Sequence, residues 1–169
     1  MATSSVVKNF SDGTLTIADA TGTPISCTAR FVNGDLKIDG LKAKLRETNA
    51  YQSRGAYTSV RYTARKPISG SFSVQLSEFS SASANDVLDA FLKTGAFTAG
   101  VSKLGASAEV WAVDVTFAIE GTNHGDSGDH TITIGSCEGE CSIAEGDPNT
   151  INVSFVSYGT VSGNLTLAG

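Results

Sequence analysis

A chain of 169 residues with net charge −5, 40 % hydrophobic and only 17 % charged residues is long enough to bury a core as one domain, and its hydrophobic content excludes a disordered polymer. No run approaches the roughly 18 apolar residues of a membrane helix, so membrane insertion is not expected. The polar start Met1–Lys8 lacks a signal-peptide core, so synthesis and folding in a cytoplasm are expected.

Along the chain, apolar and polar residues alternate with period two, the pattern of strands with one buried face. Leu15 and Ile17 open the series, and Leu36 and Ile38 follow the turn signal Asn33-Gly34-Asp35, whose Asn-Gly suits the positive φ values of a tight hairpin turn. Between Lys42 and Lys66 the pattern gives way to a basic extension with seven cations (Lys42, Lys44, Arg46, Arg54, Arg61, Arg65, Lys66) and one acid, Glu47. Tyr51, Tyr57 and Tyr62 lie among these cations. Tyrosine and arginine together suit either a groove for single-stranded nucleic acid or a protein contact, and the acidic pI of about 4.9 favours the protein contact.

Alternation resumes at Phe72, Val74 and Leu76. Over 85–94 the spacing of Val87, Leu88, Phe91 and Leu92 predicts one amphipathic helix, with Ser83 and Asp86 as a capping box and Gly95 as its stop. The longest strand pattern is Trp111, Val113, Val115, Phe117 and Ile119, which puts Trp111 in the core and Asp114 and Glu120 on the polar face. Ile132 and Ile134, then Ile151, Val153 and Phe155, then Leu165 and Leu167 complete the series. Strand after strand joined by short turns implies a mainly β, antiparallel sandwich or barrel with one flanking helix, a single domain over 1–169.

Candidate chemistry concentrates in His124, Asp126, Asp129 and His130, followed by Cys137, Glu138, Glu140 and Cys141. Histidines, carboxylates and thiols are zinc ligands, but the spacing has neither a His-Glu-x-x-His helix nor paired Cys-x-x-Cys. The glycines around them predict a mobile loop between two strands. Glu138 and Glu140 read as solvated strand-edge charges. No Gly-x-Ser-x-Gly elbow or phosphate loop occurs. No catalytic, cofactor or metal residue is therefore named, and a non-enzymatic protein is expected. For Cys27, Cys137 and Cys141 free thiols are the expectation, with a Cys137–Cys141 bridge as the alternative.

From Leu104 to Gly169 there are nine acids and no lysine or arginine. A basic segment and an acidic third repel within themselves and attract between copies.

The stretch Asn9-Phe10-Ser11-Asp12-Gly13-Thr14-Leu15-Thr16-Ile17-Ala18-Asp19 resembles the start of many tail tube proteins of long-tailed bacteriophages. The same resemblance extends through the hairpin Gly34–Leu41, the arginine-rich extension, the strand Ser71–Phe79, the helix Asn85–Leu92 and the strands Trp111–Glu120 and Ile151–Tyr158. It implies a virion protein whose hexameric rings stack into a helical tube in the tail, assembled in the host cytoplasm, through which genomic DNA passes without sequence-specific binding. It implies as partners other copies of the chain, a tape measure protein in the lumen, and tail terminator and tip proteins. On this reading Lys42, Lys44, Arg46, Arg54, Arg61 and Arg65 are inter-ring contact candidates, and Asp114 and Glu120 are lumen-facing candidates. The alternatives are a β-sandwich binding module for carbohydrate or a receptor, a metal-dependent hydrolase built on the loops from His124 to Cys141, and a tube subunit of a related bacterial injection system.

Overall fold

The computed structural model describes residues 13–29, 35–39, 46–65, 67–76, 86–119, 128–159 and 161–163. They form ten strands, one helix and a 3-10 turn. The strands are β1 (Thr14–Ala18), β2 (Ser26–Ala29), β3 (Lys37–Asp39), β4 (Arg46–Ser53), β5 (Ala56–Arg65), β6 (Ile68–Gln75), β7 (Val113–Ile119), β8 (His130–Ala144), β9 (Thr150–Ser157) and β10 (Val161–Gly163). The helix α1 (Val87–Leu92) and the 3-10 turn Gly95–Ala99 lie between β6 and β7. Every pairing among the described residues is antiparallel.

Eight strands make one sheet, ordered β2-β1-β7-β8-β9-β6-β3 with β10 beside β8, while β4 and β5 form a two-stranded sheet of their own. The large sheet is open, with β2 and β3 at its ends. It is nevertheless strongly curled. Phe117 on β7 and Phe72 on β6 are three strand spacings apart, about 14 Å in a flat sheet, yet their rings meet edge to face at 5.8 Å. Folding the sheet over itself gives a sandwich-like body whose concave side holds Leu15, Ile17, Phe72, Val115, Phe117, Ile134, Val153 and Phe155. The class is that expected from the alternation: mainly β, antiparallel, with one helix against the sheet.

Helix α1 closes the open side of this curl. Asp86 caps it, extended at φ −109° and accepting from Asp89 N–H at 2.8 Å. Lys93 ends it in the left-handed region at φ 56°. The helix is therefore shorter than the expected 85–94, because the residues at both ends act as caps. Gly95 opens the 3-10 turn and is not the helix stop; Ser83 and Asn85 lie outside the described residues. Phe91 lies across β8 at Gly139, where an added Cβ would meet its ring at 2.6 Å. That close approach is why a glycine interrupts β8.

Trp111 precedes β7 and is half-buried, outside the strand in which the alternation put it. Its indole Nε1 donates to Ala90 O at 2.7 Å, and Lys93 Nζ lies 4.9 Å from its ring centroid. An indole has an apolar body and one donor, so it serves here as a strut between the sheet and the helix's C-terminal turn.

Strand β8 bends where Val113 pairs with Cys137 but Val115 pairs with Ile134. One extra residue on β8 makes a bulge, with Ser136 at φ 52°. Asp114 Oδ1 accepts from Ser136 N–H at 2.9 Å, Asp114 Oδ2 pairs with Lys103 Nζ at 2.9 Å, and Ser157 Oγ donates to Gly135 O at 2.7 Å. The polar groups freed by the bulge are thus satisfied. A second polar anchor is Asp19, fully buried, which accepts from Ile25 N–H, Val101 N–H and Thr21 Oγ at 2.7–2.9 Å.

Candidate assembly surface

The basic extension is a paired β-hairpin arm. Arg46 pairs with Arg65, Thr48 with Tyr62, Asn49 with Arg61, Ala50 with Val60 and Tyr51 with Ser59. The tip is a two-residue turn, Arg54-Gly55, with φ of 48° and 84°, the left-handed pair that matches strand twist. Partners across an antiparallel pair share a face. One face of the arm thus carries Ala50, Val60 and Tyr62, and the other carries Asn49, Tyr51, Ser59 and Arg61. Tyr51 is 53 % exposed, Val60 63 % and Tyr62 71 %. None of the arm's described side chains belongs to the core cluster.

The inter-ring candidates accordingly fall into three groups. Arg54 is exposed at the arm's tip and Arg61 is exposed midway along β5. Arg46 and Arg65 are backbone partners in the ladder at its base. Lys42 and Lys44 lie outside the described residues.

The convex face of the large sheet is a field of hydroxyls. Thr28, Thr16, Thr116 and Thr133 lie in one row across β2, β1, β7 and β8, with Thr116 Oγ1 and Thr133 Oγ1 at 3.0 Å. On the other half, Ser71 pairs with Ser154 and Ser73 with Asn152, and Ser73 Oγ donates to Asn152 Oδ1 at 2.7 Å. Of the lumen candidates, Asp114 stands in the threonine half with its charge compensated by Lys103; Glu120 lies outside the described residues.

In the serine half a shallow furrow of about 540 Å³ runs over β8, β9, β6 and β3. Its floor is Ser69, Ser71, Ser154 and Val156, with Glu138 and Glu140 along one side and Lys37 and Asp39 along the other. Lys37 and Asp39 pair at 3.0 Å, and among the described residues no cation pairs with Glu138 or Glu140. Tyr158 Oη donates to Glu138 Oε2 at 2.9 Å, and that bond raises the phenol above its ordinary pKa.

The stretch from His124 to Cys141 is divided. Residues 121–127, His124 and Asp126 among them, lie outside the described residues, but His130 begins β8 and Cys137–Cys141 is continuous strand, not loop. Four residues of strand span about 13 Å, beyond the reach of a disulfide, and all three cysteines are free. Burial, with the nearby Asp86 or Asp114 charge adding to it, pushes Cys27 and Cys137 up to about 12 and Cys141 up to about 11. These thiols act as small apolar side chains. Among the described residues no three histidine, cysteine or acidic side chains cluster as metal ligands would.

No protein-family model matches the chain, and no curated protein matches it in sequence.

Proposed function

We propose that the chain is a structural, non-enzymatic subunit that assembles with itself into the tail tube of a long-tailed bacteriophage, as hexameric rings stacked along an axis. The observation that supports this most is the arm. Two strands standing alone are marginal in water, and Val60 and Tyr62 gain nothing from exposure to solvent. A second copy that covers the arm resolves both. An arm on one part of a subunit meeting a different part of the next is a heterologous contact, which propagates into rings or filaments. The charge split supplies the attraction: a basic arm against an acidic C-terminal third.

On this reading the hydroxyl rows of the threonine half, with Asp114 among them, line the channel; Glu120, the other lumen candidate, lies outside the described residues. Hydroxyls keep it hydrated and bring no positive charge to hold the phosphates of passing DNA. A tape measure protein occupies the lumen during assembly, and terminator and tip proteins cap the ends. A carbohydrate module would need an aromatic platform on the sheet, whereas no aromatic side chain stands among its described outward rows.

Negative-stain electron microscopy of the concentrated protein tests the proposal. Hollow tubes of uniform width are expected, and a protein that stays monomeric under all conditions overturns it. Subunits carrying Arg46→Glu and Arg54→Glu should fold normally but fail to elongate.

A further inference from the structure

We infer that the arm of one copy docks in the serine-floored furrow of the next, with its Tyr51/Arg61 face down and Arg61 and Arg54 against Glu138 and Glu140. The inference rests on the self-assembly reading above and adds the receiving surface.

Three observations support the pairing. The first is shape. Between Glu140 on β8 and Lys37 on β3 lie three strand spacings, about 14 Å, and the floor between them is Ser154 and Ser71. A two-stranded ribbon has strand axes about 5 Å apart, so it lies within that width, and short side chains let its backbone approach. The second is charge. Lys37 is bound to Asp39, no described cation pairs with Glu138 or Glu140, which stand two residues apart on one strand face, and arginine's planar fork suits a carboxylate. Arg61 is exposed in mid-strand on the arm, with Tyr51 on the same face one row nearer the tip. The third is the apolar element. The furrow floor includes half-buried Val156, an outward-facing apolar side chain, and Tyr51 offers a ring to cover it. An arm lying between two copies has its other face, Val60 and Tyr62, turned toward the second neighbour.

A charge-swap experiment tests this. One protein carries Arg54→Glu and Arg61→Glu, the other Glu138→Arg and Glu140→Arg; all four side chains are exposed, so both should melt close to the wild type. Each alone has like charges on arm and furrow and should sediment as a monomer where the wild type associates. An equimolar mixture pairs each arm with an opposite furrow and should associate. A mixture that remains monomeric, or a furrow variant that assembles alone as the wild type does, overturns the inference. If a furrow variant does not fold, Glu140→Gln replaces it and should raise the concentration needed for association at least tenfold; no change overturns the inference. Wild-type tubes with no rescue in the mixture reject the furrow and leave the tube reading standing. Rescued association into small closed oligomers, without tubes, supports the furrow and rejects the tube. A wild type that never associates rejects both.

Discussion

The curled sheet and the hairpin arm are built from the same kind of antiparallel ladder, yet they hold their shape by different means. In the body every strand next to the core has one face in it: Leu15, Ile17, Val113, Val115 and Phe117 are wholly buried. In the arm Tyr51, Val60 and Tyr62 remain more than half exposed, and the ladder is supported by its own hydrogen bonds and its tip. Burying a large apolar side chain contributes about 1.5–3 kcal/mol; the body's core residues supply that contribution, whereas the exposed Tyr51, Val60 and Tyr62 largely forgo it. If the arm joins copies as proposed, mutations should separate cleanly into those that unfold the chain and those that leave it folded but solitary.

The largest effect belongs to the centre of the curl. Phe117→Ala removes the ring that meets Phe72 across the fold and should cost about 4 kcal/mol, read as a lower urea midpoint. Asp19→Asn comes next, at about 3 kcal/mol, because an amide group would set its own N–H donors against that of Val101. Burial alone would raise the Asp19 pKa, but the hydrogen bonds from Val101, Thr21 and Ile25 outweigh it and hold the pKa below its ordinary 3.8. A carboxylate whose folded pKa is depressed contributes stability that is complete above the unfolded value and lost as pH falls through the folded one. The gap between wild type and Asp19→Asn should therefore narrow as urea titrations are taken below pH 3.8. Trp111→Phe keeps most of the ring but loses the bond to Ala90 O, for about 1 kcal/mol, with faster amide exchange in α1. Smallest of all, Val60→Ser with Tyr62→Ser should change the urea midpoint of the monomer by less than about 0.5 kcal/mol. A large loss there would mean that the arm is part of the body's core, and the contrast drawn above would fall.

The same contrast explains what could be read from the residues alone. Period two is legible where one face is buried, so β1, β6, β7 and β9 stood out through Leu15, Phe72, Phe117 and Phe155. In the arm the described side chains Ala50, Val60 and Tyr62 on one face and Asn49, Tyr51 and Arg61 on the other are all exposed, no apolar alternation is required, and the residues from Arg46 to Arg65 read as an extension and not as two paired strands. The second half of β8 was hidden for another reason. Gly139 is there to admit Phe91, and Glu138 and Glu140 point outward, so strand residues looked like a glycine-rich loop. The helix ends were missed because capping depends on the backbone angles of Asp86 and Lys93, which side-chain spacing does not report. The furrow had no signal in one dimension: Lys37, Ser71, Ser154 and Glu140 become neighbours only through sheet order.

The tip of the arm carries one more consequence. Arg54 and Gly55 already hold the left-handed angles of a tight turn, so the ribbon is ordered before it meets anything. A floppy segment of the same length would lose conformational freedom of the order of 1–2 kcal/mol per residue on docking, and in a polymer that loss recurs with each subunit added. If copies assemble as proposed, rigidity at two residues lowers the concentration at which growth begins, and it does so once for every copy added.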